Sequence, residues 1–351
     1  MRLGWRERRE ELREAKTART YNQNHVQRPY TPGRRRVSIY LCWSFPAEAN
    51  RHPDDLDNRF STMNEIRRVE WPNWEAPQWS DPLQFQQGIA GGLELFFRAW
   101  TPFQDFVGEL TGHVVPVFQR IDQAGFKLPL DERVMADADV LLVFGLDHAV
   151  TGQVAAPEEI EAVRQFLKRE GTCLVLGPHH DVGASEDMEM RNIEYHHHGD
   201  ALVPRQQRFG LYIRSLMASL GLPVENRFGL RPARAPGTNK PAPLSVARDL
   251  DSKGWLKGVT NFNFHMHLPH YAVTTDDTKS VRVLARQPID LSRPPHPFVE
   301  AGNREFNTFL WMPPSGDRAG DVLFADSTVF NTLFGSDESL ENFWKNIALA
   351  K

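Results

Sequence analysis

The chain has 351 residues, 40% of them apolar, 25% charged, with two cysteines and a formal net charge of −4. That length buries a substantial core without staples, and 9 Trp, 22 Phe and 6 Tyr exclude disorder of the whole chain. Two cysteines exclude a disulfide scaffold, and no apolar run approaches the ~20 residues a membrane helix needs. The polar, basic start lacks the apolar region of a signal peptide. These features point to a reduced cytoplasmic protein that does not engage a membrane.

The charge is uneven. Residues 1–36 carry eleven Lys/Arg against four Glu, a net of +7, which leaves −11 on the other 315 residues. Residues 3–19 read as a solvated helix with charged i,i+4 pairs such as Arg6/Glu10. Residues 20–36 are punctuated by Pro, Gly and Asn and read as an extended arm. A strap onto a second copy or a partner subunit is the expected role of residues 1–36. The same charges would serve nucleic acid, but no zinc finger, recognition helix or stacking module accompanies them, so no nucleic-acid partner is expected.

Residues 37–45 (VSIYLCWSF) read as the first buried strand and open a single domain over 37–351. A Trp/Pro-rich insertion at 69–82 has no clear period. Residues 83–110 resume helical spacing, with Gly91, Gly92 and Pro102 expected to weaken or divide the helix. Over 130–177 the order is short helix, apolar strand at 140–144, helix from Pro157, stop at Gly171, then a second apolar strand at 173–176. Glu158 and Glu159 sit in the first turn of that helix and Lys168 and Arg169 in its last, which suits the helix dipole. Strand, helix and continuous apolar strand imply a parallel sheet covered on both faces. A helix over 205–220, strands over 256–274, 280–286 and 321–325, and a closing helix over 338–350 complete the expected elements.

In open parallel sheets ligands bind beyond the carboxyl ends of the strands. Asp147 and His148 follow the first apolar strand, His179, His180 and Asp181 the second, and Asp326 the strand at 321–325. Residues 194–200 (EYHHHGD) add three histidines. If extended, they put His196 and His198 on one face, at a spacing useful for chelation. His179, His180, His196 and His198 are therefore the candidate ligands of a divalent transition metal such as Zn, Mn or Fe. Asp181, Asp200 and His148 are the candidate catalytic groups. Asp147, Arg205, Arg208 and Asp326 would line the pocket for a small-molecule ligand, since Arg forks match carboxylates. A second run, HMHLPH at 265–270, has HxHxxH spacing and resembles the metallo-β-lactamase ligand motif at three His positions. Pro269 replaces its Asp, and core or interface histidines are the plainer reading of that run. No GxSxG, Rossmann or P-loop motif is present, so no nucleotide cofactor is expected.

The order ADADVLLVFG, PEEIEAVRQFLKREGTCLVLGPHHD, WLKGVTNFNF, SVRVLAR and GDVLFADSTVFNTLF, closed by NFWKNI, resembles the class I glutamine-amidotransferase-like superfamily over roughly 130–350. It is nearest to the non-amidotransferase branch, which holds ThuA-like proteins and auxiliary domains linked to gliding and ABC transport. The resemblance implies a flavodoxin-like, doubly wound α/β fold with a mainly parallel sheet and helices on both faces. Amidotransferases carry a Cys nucleophile after the strand at 173–176. Pro178, His179 and His180 stand there instead, which argues against glutaminase activity. Two functions remain: a metal-dependent hydrolase or lyase acting on a small polar substrate, or a non-catalytic accessory subunit that uses residues 1–36 for assembly.

Overall fold

The computed structural model describes residues 28–43, 89–120, 128–147, 149, 152–181, 185, 187–199, 208–262, 267–277, 279–332 and 335–350. The basic helix expected at 3–19, most of the arm and the insertion at 69–82 lie outside these residues.

A mixed eight-stranded sheet organises the chain, in the order β2-β1-β3-β4-β10-β9-β8-β6. Its parallel part joins β1 (Val37–Trp43), β2 (Val117–Arg120), β3 (Val140–Leu146), β4 (Cys173–Pro178) and β10 (Asp321–Ala325). The remaining strands, β6 (Ser245–Val246), β8 (Arg282–Pro288) and β9 (Glu305–Met312), are antiparallel to their neighbours. The mainly parallel sheet expected from the sequence is thus extended by an antiparallel wing. Its cause is local: only eight residues link β9 to β10, too few for a parallel crossover. A small antiparallel pair, β5 (Val224–Leu230) with β7 (Leu268–Val273), stands apart from this sheet.

Side chains alternate between the two faces of a strand, and the core divides accordingly. Ile39, Leu142, Val175 and Leu323 join one apolar cluster with Trp100, Phe103 and Val107 of α1 (Ile89–Thr111) and Phe343 and Ile347 of α6 (Glu338–Leu349). Tyr40, Val143, Leu174 and Val322 join the other with α2 (Glu132–Met135), α3 (Pro157–Lys168) and α5 (Leu211–Ser219). Helices therefore cover both faces. Pro102 lies inside α1 without dividing it. Among the described residues of 256–274 only Leu268–Val273 form a strand, and 252–257 is taken up by turns that Asp251 caps through Trp255 N and Leu256 N.

The last residues of the basic arm are bound to their own chain. Arg28 is buried and its guanidinium pairs with Asp137 at 3.1 Å, and Arg36 pairs with Asp139 at 2.9 Å. No described helix is long and apolar enough to cross a membrane.

Candidate metal centre

The carboxyl ends of β3, β4 and β10 are held close by two glycines. A Cβ on Gly177 would stand 2.9 Å from the Ala325 carbonyl, and one on Gly145 would stand 2.9 Å from Ile213 Cδ1. Only bare backbone lets β4 approach β10, and α5 approach β3, at these points.

Beyond β4 the chain delivers His179 and His180, and His267 arrives immediately before β7. All three are buried, and one ring nitrogen from each lies within 4.8 Å of those of the other two. His198, 1% exposed, lies beside the group: its Nε2 is 3.1 Å from His180 Nε2, and its ring centroid is 3.7 Å from that of His267. His180 lies against Gly229, where a Cβ would come within 2.3 Å of its ring.

Residues behind the imidazoles fix their orientation. His179 Nδ1 is 3.0 Å from Asp326 Oδ2, so Nδ1 donates to the carboxylate and Nε2 is left as the ligand atom. Asp326 is itself fixed, accepting from Thr328 N at 2.7 Å and Thr328 Oγ1 through its other oxygen. Asn226 Nδ2 donates to the His179 carbonyl at 2.9 Å.

These residues fit a divalent ion. Nitrogens bound at 2.0–2.1 Å to one tetrahedral ion sit about 3.3 Å apart. Those of His179, His180 and His267, within 4.8 Å of one another, would close by up to about 1.5 Å, within the reach of rotamer adjustment. An imidazole set suits Zn, Fe or Ni over Mg or Ca. A buried His cluster that could hold a metal is therefore present, with the metal's identity left open by the donors.

The histidine run at 196–198 is helical where an extended segment was expected. It forms the last turn of α4 (Met188–His198), begun by Asp187, whose side chain accepts from Met190 N, and ended by Gly199 at φ 69°. Cationic or polarised imidazoles near a helix C-terminus are favoured. At 100° per residue, residues two apart point about 200° away from each other. His198 accordingly faces the cluster while His196 is exposed, with its carbonyl accepting from Arg293 at 3.1 Å. His196 and His198 do not converge.

The remaining predicted site residues are distributed as follows. Asp181 is buried, 2.9 Å from Arg214 and 3.8 Å from Arg208, and accepts from Phe209 N at 3.0 Å. Burial raises its pKa, and Arg214 and the Phe209 amide oppose that rise. Asp147 accepts from Tyr212 N at 2.9 Å and so caps the first turn of α5. Burial pushes its pKa up to about 6. Both carboxylates thus hold α5 and its approach in place. Arg208 keeps an exposed side chain. His148, Asp200 and Arg205 lie outside the described residues.

His267 is the group that sequence reasoning left out of the candidate ligands. The HxHxxH run contained the signal, but His267 and His270 go to different clusters. His265 is not described, and His270 goes to a different cluster beside Phe228 and Phe298. That second cluster also holds His296 and, through it, His197. His197 Nδ1 donates to the Pro294 carbonyl at 2.8 Å, and its Nε2 accepts from Arg231 N.

No family model matches the chain, and no curated protein matches it either. A solved structure from Bacteroides uniformis ATCC 8492, described as ThuA-like, matches over 92% of this chain and 94% of that one, at 8% identity and a TM-score of 0.38. A likeness that distant bears on neither activity nor ligand.

Proposed function

We propose that the protein is a metal-dependent hydrolase or lyase acting on a small polar substrate at the carboxyl edge of the parallel strands. The observation that supports this reading is the convergence of His179, His180 and His267 in a buried cluster, with His198 beside them. When bound, a divalent ion supplies Lewis-acid polarisation and a water activated near neutral pH. Asp326 keeps His179 in the tautomer that offers Nε2, the carboxylate–histidine arrangement common behind metal ligands. Arg208, exposed at the edge of the site, is suited to an anionic group on the substrate. Phe209, whose ring is 5.2 Å from that of His179, adds apolar surface beside the cluster, where a lower local dielectric strengthens electrostatic contacts.

One observation favours the alternative of an accessory subunit. The described carboxylates proposed from sequence are all committed to structural contacts: Asp181 to Arg214, Asp147 to Tyr212 N and Asp326 to His179 and Thr328. A base would then have to come from His198 or from residues such as Asp200.

The test is elemental analysis of the full-length, untagged protein. About one equivalent of a transition metal is expected, falling severalfold in His180→Ala/His267→Ala. A metal-free wild type that also takes up no zinc on dialysis overturns the metal centre. Bound metal without metal-dependent cleavage of ester, amide or phosphoester probes overturns the enzyme and favours the accessory subunit.

A further inference from the structure

A cavity of about 810 Å³ opens at the other edge of the sheet from the histidines. Its walls are the end of α3, the turn from α5 to β5, the approach to β8 and the turn between β9 and β10. These segments feed the amino ends of β4 and β10, whereas the histidines follow the carboxyl ends.

Five cations line it, Arg164, Lys168, Lys279, Arg282 and Arg318, against two carboxylates, Asp277 and Asp317. This net positive charge stands in a protein whose total is −4. The guanidinium groups are aimed mainly by neutral carbonyl oxygens. Arg318 donates to the carbonyls of Met312 at 3.1 Å, Pro313 at 2.6 Å and Gly320 at 2.7 Å. Arg282 lies 4.6 Å over the Trp311 ring and donates to the Leu250 carbonyl at 3.2 Å. Arg164 donates to the Ser219 carbonyl at 2.8 Å and pairs loosely with Glu161 at 3.8 Å. Carbonyls orient a cation but do not cancel its charge. Like charges gathered in one concavity repel one another and focus a positive potential that an anion relieves.

We propose that this cavity is a second ligand site, which takes a small molecule bearing several phosphoryl groups. Its volume falls in the range of small-molecule pockets. Rigid Arg forks match phosphate oxygens, and Lys168 and Lys279 supply mobile point charges. The site is independent of the metal centre in position and in chemistry.

Inorganic triphosphate is the probe, titrated calorimetrically into the full-length protein. Saturable binding is expected, weakened roughly tenfold or more in Lys168→Ala/Lys279→Ala, a loss of about 1.4 kcal/mol or more. Both lysines are exposed, so the thermal midpoint should not move. Binding should persist in His180→Ala/His267→Ala and in Arg133→Ala/Arg227→Ala, which removes two cations elsewhere on the surface. Three results overturn the proposal: no binding by the wild type, equal binding by the lysine variant, or loss of binding in the histidine variant. Tighter binding of a single-stranded oligonucleotide than of triphosphate overturns the small-molecule assignment.

Discussion

Asp326 and His179 are 147 residues apart in the chain, yet a carboxylate oxygen of one lies 3.0 Å from Nδ1 of the other. The contact joins the ends of two adjacent parallel strands, β10 and β4, and it sets which nitrogen of His179 faces the cluster. Asp326→Asn tests it cleanly. The Asn Oδ1 still accepts from Thr328, so the 3-10 turn at Ser327–Phe330 survives, but Nδ2 cannot accept from His179. Metal affinity is expected to fall about 10- to 100-fold, with little change in thermal midpoint. Zinc titration and a melting curve on the same sample check both parts.

Gly229→Ala addresses the packing of His180. The new Cβ would occupy space within 2.3 Å of the imidazole. The ring must move or the strand must shift, at a cost of about 1–3 kcal/mol. Denaturant unfolding should show the loss, and zinc binding should weaken in the same variant.

The second histidine cluster makes stability depend on pH. Burial pushes His296 down to about 3 and His270 down to about 4, with the neighbouring His197 and His270 adding to the first and Arg227 to the second. In each ring Nδ1 accepts a backbone N–H, from Phe298 at 3.1 Å and from Asn307 at 3.3 Å, so protonation also breaks a hydrogen bond. The unfolded chain takes up these protons below pH about 6.5, the native state only near pH 3–4, and stability is lost as pH falls through that window. Asp147 and Asp181 act in the opposite sense, the cost of burying each carboxylate vanishing as pH falls, but His197 is lowered by burial too, and three histidines outweigh two carboxylates. The thermal midpoint should therefore drop between about pH 7 and about pH 5. In His296→Asn, which keeps an oxygen cap for Phe298 N, the drop should be smaller.

Arg28→Ala removes one half of a buried ion pair. Arg28 also donates to the carbonyls of Val37 and Val114 and to Ser38 Oγ. Asp137, 1% exposed, would lose its guanidinium partner while still buried. A loss of about 3–5 kcal/mol is expected by urea unfolding. Asp137→Asn should cost a comparable amount, and the double variant less than the sum of the two.

The central α/β order was legible without coordinates. Continuous apolar runs at 140–144 and 173–176, with a capped amphipathic helix between them, have few solutions other than a crossover between parallel strands covered on both faces. The positions where chemistry could gather followed from the same logic. His179, His180 and Asp326 were named because polar residues at the carboxyl ends of parallel strands share one edge. The tertiary structure decided the rest. Whether residues 196–198 were strand or helix rested on Asp187 and Gly199 acting as caps, and three histidines show no period of their own. His267 belongs to the site because the β5–β7 pair brings its backbone beside β4, a contact no local spacing encodes. Asp181 looked like a free base until Arg214 was seen beside it. Side-chain type and strand order are written locally along the chain. Which imidazole faces which, and which carboxylate is already neutralised, depends on contacts between segments far apart in sequence, and only the packed structure brings those together.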